Sequence, residues 1–291
     1  MHIYNVEYYA QVMNKGKAME VKSVLRYPGG KQRAVKILAD FVPHDETEIC
    51  SPFLGGGSFE LYCASAMKMR VYGYDNFSPL VEFWQMLFSR GKQIADQADS
   101  FLPVLKRDTF YQLQKTQSQL EGKVARAAAF YVINRASFSG CTLSGGMSPG
   151  HLRFTPSSVE RLRNFPAAAI KSYFSVAQMD FADSISRHRR GMIYADPPYF
   201  LRNQNLYGDR GKARESFDHQ KLRDILVSRG GRWLLSYNEC EEVRKLYHGH
   251  AMLAPKWRYG MSKNKSSREL LVLSNQLSEE LGDLRGMANA A

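Results

Sequence analysis

Met192-Ile193-Tyr194-Ala195-Asp196-Pro197-Pro198-Tyr199 is the stretch that decides how this chain is read. Met192 to Ala195 is a short apolar run of the kind that makes a buried strand. The two prolines behind Asp196 cannot continue a strand ladder, because neither has an N–H to donate. The chain must leave the sheet there in a rigid, extended turn. That turn sets a carboxylate, two carbonyls and an aromatic ring at the carboxyl end of a strand, where open α/β sheets bind ligands. An acceptor pair beside a flat ring suits a planar amine, such as the exocyclic amino group of a nucleobase. An ordinary strand exit with a surface tyrosine is the plainer reading of the same residues.

Upstream, Thr47 to Cys50 reads as a first strand, Gly55-Gly56-Gly57 as a turn, Ser58 to Met67 as a helix and Arg70 to Tyr74 as a second strand ending at Asp75. This is a β-loop-α-β unit with its glycines at the first turn, where the backbone can pass close to a ligand. Asp75 lies 18 residues beyond Gly57, a spacing that suits hydrogen bonds to ribose hydroxyls. A nicotinamide site uses the same logic, so this pair leaves the cofactor open.

Ile193 to Tyr199 resembles motif IV of the amino-methyltransferases that act on DNA bases. Three other stretches fit the same family in the same order: Arg26-Tyr27-Pro28-Gly29-Gly30-Lys31, Pro52-Phe53-Leu54-Gly55-Gly56-Gly57-Ser58-Phe59 and Tyr74-Asp75-Asn76. Over about residues 22 to 275 they together resemble the Dam-like (D12 class, α-group) adenine-N6 DNA methyltransferases. The resemblance implies an α/β fold: a Rossmann-like, S-adenosylmethionine-dependent methyltransferase core carrying an inserted, mainly helical target-recognition domain. The expected division is an extension at 1–21, the core at 22–80 and 168–275, the insertion at 81–167 and a tail at 276–291.

The resemblance also implies a site. Asp196, Pro197, Pro198 and Tyr199 are the expected catalytic residues, with the tyrosine stacking on a base flipped out of duplex DNA. Tyr27, Lys31, Phe53, Gly55, Gly57, Asp75, Asp180 and Phe181 are the expected S-adenosylmethionine contacts. Tyr27 and Lys31 fall beside the methionine part, and Asp180 with Phe181 beside the adenine. Asp180 as a helix N-cap, Tyr27 as plain core and Lys31 as a solvated helix lysine are the simpler alternatives. Asn134, Arg135 and Arg153, around a loop or hairpin at residues 137–153, are expected to contact DNA, as are Lys263 and Lys265. That loop departs from Dam's composition, so a GATC target is not implied. Cytosine-N4 transfer, a non-catalytic DNA binder and a nicotinamide-dependent oxidoreductase are the rival readings. A cognate restriction endonuclease is a conceivable partner, and a monomer or homodimer the expected state.

The 291 residues suffice for one large α/β domain or a core plus insertion. Hydrophobic content of 44% with 23% charged residues is ordinary for a soluble globular chain. No run approaches the ~18 apolar residues that span a bilayer, and the first twenty residues lack a signal peptide's apolar centre. A cytoplasmic protein of bacterial or phage origin is expected. The formal charge of +12 calls for a polyanionic partner. Thirteen residues, Lys256 to Arg268, hold five bases and no acid, which suits a DNA backbone. Cys50, Cys63, Cys141 and Cys240 form no C-x-x-C pair and read as reduced, mostly buried thiols. No Pro-Cys pair offers the nucleophile of cytosine-C5 methyltransferases, and no metal-site spacing is present.

Elsewhere the pattern predicts helices at 32–41, 80–88, 101–105, 110–120, 124–134, 157–164, 218–228 and 241–247. Strands are expected at 170–176, 232–237 and 270–273.

Overall fold

A computed structural model describes residues 19–149, 153–200, 217–255 and 269–290, the last eight of these by backbone alone. Its centre is a seven-stranded sheet: β1 Glu48–Ser51, β2 Arg70–Asp75, β3 Phe174–Gln178, β4 Met192–Ala195, β5 Trp233–Asn238, β6 Ala251–Leu253 and β7 Glu269–Leu273. The spatial order is β3-β2-β1-β4-β5-β7-β6. β7 alone runs against its neighbours, pairing antiparallel with both β5 and β6. The chain order reverses between β1 and β4, which pair through Ile49↔Met192 and Cys50↔Ile193. The crevice beyond the carboxyl ends of these two strands is where such a sheet takes its ligand. It is the crevice into which the glycine turn and the Asp196 turn both emerge.

β1, β4, β5 and β7 are almost wholly buried, as parallel strands covered on both faces must be, and their sequences are accordingly near-continuous apolar runs. The helix Ser58–Ser65 is buried at every position. No helix among the described residues is long and apolar enough to cross a membrane.

Four elements differ from expectation. The strand expected at 170–176 is shifted: Ala167–Ile170 is a short helix, and β3 begins at Phe174 and pairs with β2 as far as Asp75↔Gln178. Phe101 to Leu105 stays in turns, since Pro103 interrupts the run. β6 is a three-residue, half-exposed edge with too little pattern to read. The expected tail is the helix Asn275–Ala290, which buries Leu277 and Leu281 in the core.

The segment expected to be a separate insertion shares the main core. The helix Ser78–Asp99 runs straight through the boundary expected at residue 81, with a single non-helical residue, Arg90. Its buried Trp84 packs against Phe174 of β3, while Phe83 stacks on Tyr131 of the helix Lys123–Ala136. One helix therefore packs on the sheet and on the helical layer together. The N-terminal side also joins this core earlier than expected. Val21 is buried, and its N–H donates to Ser65 Oγ at 3.1 Å.

Candidate active site

The glycine turn is fixed from three sides. Trp84 Nε1 donates to the Gly55 carbonyl at 3.1 Å, and the Gly55 N–H donates to Asp75 Oδ2 at 3.0 Å. The Tyr27 ring lies against the turn so closely that a Cβ on Gly56 would stand 2.8 Å from Tyr27 Cβ. Gly57 has φ +61° and caps the helix behind it, a conformation open to glycine at no steric cost. The Tyr27 side chain thus explains the run of glycines as much as any ligand does.

At the end of β4, Asp196 is held by two donors. Lys31 Nζ donates to Oδ2 at 2.6 Å and Ser236 Oγ, from β5, to Oδ1 at 3.0 Å. Tyr194 OH lies 3.1 Å from Ser236 Oγ. Lys31 is only 3% exposed and also pairs with Glu269 Oε1, at the start of β7, at 3.1 Å. Burial pulls the Lys31 pKa down, but Asp196 and Glu269 outweigh it and hold the ammonium above its ordinary range. Burial pushes Glu269 up to about 6, against the pull of Lys31. The Tyr199 hydroxyl donates to Glu269 and accepts from Lys31. Tyr199 is 8% exposed; the ring expected to stack on a base is mostly covered and would have to be uncovered first. Lys31 is not the solvated helix lysine of the simpler reading, because it is buried between the carboxylates of Asp196 and Glu269.

A cavity of about 490 Å³ runs from this ion pair to a group of aromatic rings, within the usual size of small-molecule sites. Of the expected residues, Tyr27, Lys31, Phe53, Gly55, Gly57, Asp75, Asp180, Phe181, Asp196 and Pro198 all line it. At the far end Phe53 stacks on Phe181, with centroids 5.6 Å apart, and Phe217 meets both rings edge-on or tilted. Asp180 caps the helix Phe181–Arg187 by accepting from the Ala182 N–H at 2.9 Å. The capping alternative is therefore realised, at a residue that also faces the cavity. Each Asp75 oxygen takes one backbone N–H, from Gly55 and from Phe77, and keeps a further lone pair.

Another carboxyl lines the cavity near Asp196. Glu60, 3% exposed, accepts from Ser51 Oγ at 2.6 Å, and burial pushes its pKa up to about 7.

The residues expected on DNA fare differently. Asn134 has no exposed surface; its amide accepts from the Arg26 N–H at 2.9 Å and donates to the Arg26 carbonyl at 2.6 Å. It fixes the backbone that leads into Tyr27. Arg135 is 9% exposed and spends its Nε on the Arg153 carbonyl, so its guanidinium braces the loop. Arg153 is exposed. Lys263 and Lys265 lie outside the described residues.

Ser236, Glu269, Glu60 and Phe217 were not singled out from sequence. Glu269 had one legible signal, an acid immediately before the apolar run of β7. Ser236 had another, a lone hydroxyl amid Trp233-Leu234-Leu235 and Tyr237.

The family model for the D12 class N6 adenine-specific DNA methyltransferases matches residues 27–261. A DNA adenine methylase of Vibrio cholerae serotype O1 is 26% identical over 271 residues, covering 87% of this chain and 95% of that protein. A DNA N-6-adenine-methyltransferase of Escherichia phage P1 is 25% identical over 240 residues, covering 78% of this chain and 31% of its own length. The Type II methyltransferase M.CviBI of Paramecium bursaria Chlorella virus NC1A is 21% identical over 275 residues, covering 88% of this chain and all of that protein.

Proposed function

This chain belongs to the D12 class of N6 adenine-specific DNA methyltransferases, and from that premise we propose that S-adenosylmethionine is its methyl donor and that Asp196 with the Pro197 carbonyl receives the target amine. The reaction follows from the family: a methyl group passes to N6 of adenine in DNA. One observation carries the assignment of Asp196. It keeps 22% exposure at the cavity's end, while its partner Lys31 and Glu269, which shares that lysine, are closed off at 3% and 1%.

The residues along the cavity fit such a donor. Phe53, Phe181 and Phe217 offer faces and edges to a purine, Asp180 an acceptor for its amino group, and Asp75 lone pairs for ribose hydroxyls. When bound, the donor supplies an electrophilic methyl on a sulfonium that is a good leaving group.

Adenine N6 is a weak nucleophile because its lone pair is delocalised into the ring. Asp196 accepts one N–H, and the Pro197 carbonyl, freed from any strand ladder, accepts the other. Two acceptors draw N6 towards sp³ character and aim its lone pair. Lys31 and Ser236 hold the carboxylate, so that little reorganisation is needed when charge develops. Positioning of this kind supplies on the order of 7 to 11 kcal/mol in ideal cases. The proton leaves N6 after methyl transfer, when the nitrogen has become strongly acidic. A base stacked in a duplex cannot enter a cavity beyond the strand ends, so the adenine is flipped out. Residues 81–167, with the exposed Arg153, are the proposed face towards the DNA target. The relative named as a Type II methyltransferase supports a cognate restriction endonuclease as a partner, to be sought as a nuclease that cuts the same motif unmethylated.

The test is base-modification sequencing of DNA from a methylation-deficient bacterium expressing the wild type or Asp196→Ala. N6-methyladenine at one short motif, absent with the variant, is the expected result. An Asp196→Ala protein that still methylates, or that loses S-adenosylhomocysteine binding together with activity, would remove Asp196 from the chemistry.

A further inference from the structure

Three carboxylates gather at the Asp196 end of the cavity. Asp196 is bonded to Lys31 and Ser236 and faces the substrate amine. Glu269 is bonded to Lys31 and Tyr199 and does not line the cavity. Glu60 is different. It is the third residue of the helix Ser58–Ser65, and its Oε1 takes the Ser51 hydroxyl from the end of β1. Beyond that hydroxyl and its own backbone N–H the carboxyl takes no donor among the described residues, so it keeps acceptor lone pairs on the cavity that Glu60 lines. Lys31, whose charge reaches Glu60, bonds the other two carboxylates instead.

A buried carboxyl with such lone pairs is stabilised by a cation arriving in the cavity. The methyl donor brings one. Its amino-acid tail carries an α-ammonium and hangs from the same sulfur as the reactive methyl, so the tail sits at the Asp196 end and not at the Phe181 end. We propose that Glu60, steadied by Ser51, receives the α-ammonium of the cofactor's amino-acid tail; this rests on the S-adenosylmethionine reading above.

The groups that face Glu60 are Ser51 on β1, Tyr194 and Asp196 at the end of β4, Lys31 from the turn before the first helix, and Cys63 on its own helix. In the ligand-free protein burial leaves Glu60 half protonated near pH 7. An ammonium beside it favours the charged form, so binding expels a proton. Affinity for the tail then rises as pH increases through about 7 and levels off above.

The experiment is calorimetric titration of the full chain with S-adenosylhomocysteine and, separately, with methylthioadenosine, which keeps the nucleoside and sulfur but has no amino-acid tail. Glu60→Gln should weaken S-adenosylhomocysteine about tenfold or more, the worth of a lost charge-assisted bond. It should leave methylthioadenosine within about twofold, which also certifies that the variant is folded. Proton release near pH 7, read from buffers of different ionisation enthalpy, should vanish in the variant. Equal loss for both ligands, loss for neither, or proton release that persists would overturn the role of Glu60. A wild type that binds neither ligand would overturn the cofactor reading beneath it.

Discussion

Replacing Glu60 by glutamine should stabilise the ligand-free protein at pH 8 and leave it little changed at pH 4. Glu60 titrates at about 7 in the fold against 4.5 as a free side chain. A carboxyl whose folded pKa lies above its unfolded value favours the fold while protonated. That contribution is complete below the unfolded pKa and is lost as pH climbs through the folded one. At 1.36 kcal/mol per pKa unit the loss comes to about 3 kcal/mol, of which about 2.5 kcal/mol falls between pH 5 and pH 8. Glutamine is neutral throughout, and its amide oxygen can take the Ser51 hydroxyl that Glu60 Oε1 now holds at 2.6 Å. Glu269 and Asp75, also raised by burial, titrate in both proteins and cancel in the difference. Urea unfolding of the two chains across pH 5 to 8, without ligand, reads that difference. Parallel stability curves would refute the reasoning, because they would mean that Glu60 is ionised and solvated at little cost. Saturating S-adenosylhomocysteine should narrow the gap, by about 1.4 kcal/mol for each tenfold in affinity, since only the wild type has a charge for the ammonium to meet.

Three further outcomes are expected. Lys31→Met strips the shared cation from Asp196 and Glu269, and breaking a buried pair in this way destabilises by about 3–5 kcal/mol; a loss under about 1 kcal/mol in urea unfolding at pH 7.5 would show that the pair is already solvated. Asp75→Asn should raise the KM for the methyl donor several-fold more than it lowers kcat, and an equal fall in kcat with unchanged KM would exclude a ground-state contact with the donor. Asn134→Ala removes the side chain that bonds both the Arg26 N–H and its carbonyl, which costs about 1–3 kcal/mol, while the methylated motif stays the same. A changed motif in a protein of unchanged stability would restore Asn134 as a reader of bases.

The parts of the site that lie within one short stretch of sequence were legible. The Asp196 turn, the glycine turn and Asp75 each follow a strand, and the sheet order brings all three strands side by side. Asp180 was legible too, because a capping aspartate and a cavity aspartate occupy the same place before a helix. The partners that complete the site come from far away in sequence: Ser236 stands 40 residues beyond Asp196, and Glu269 stands 70 beyond Tyr199. Neither belongs to a motif, and only the pairing of β4 with β5 and of β5 with β7 brings them near. Asn134 and Arg135 bond backbone in the fold, which the sequence could not show for a related reason. A polar pair at a helix end facing a loop looks the same in sequence whether it reaches outward to DNA or inward to a backbone 108 residues away. The helix that crosses residue 81 was not legible, because hydrophobic periodicity marks helices but not which layer shares which core.

β7 has one more consequence, for the order in which a ribosome makes the protein. Lys31 and Asp196 are synthesised well before Glu269, and β7 is the strand that slots between β5 and β6. A nascent chain can carry the glycine turn, the Asp196 turn and most of the cavity while Lys31 still lacks its second carboxylate and Tyr199 its anchor. The reacting end is completed only when the last strand inserts and the helix behind it docks Leu277 and Leu281. A chain cut short ahead of β7 is therefore expected to leave DNA unmarked.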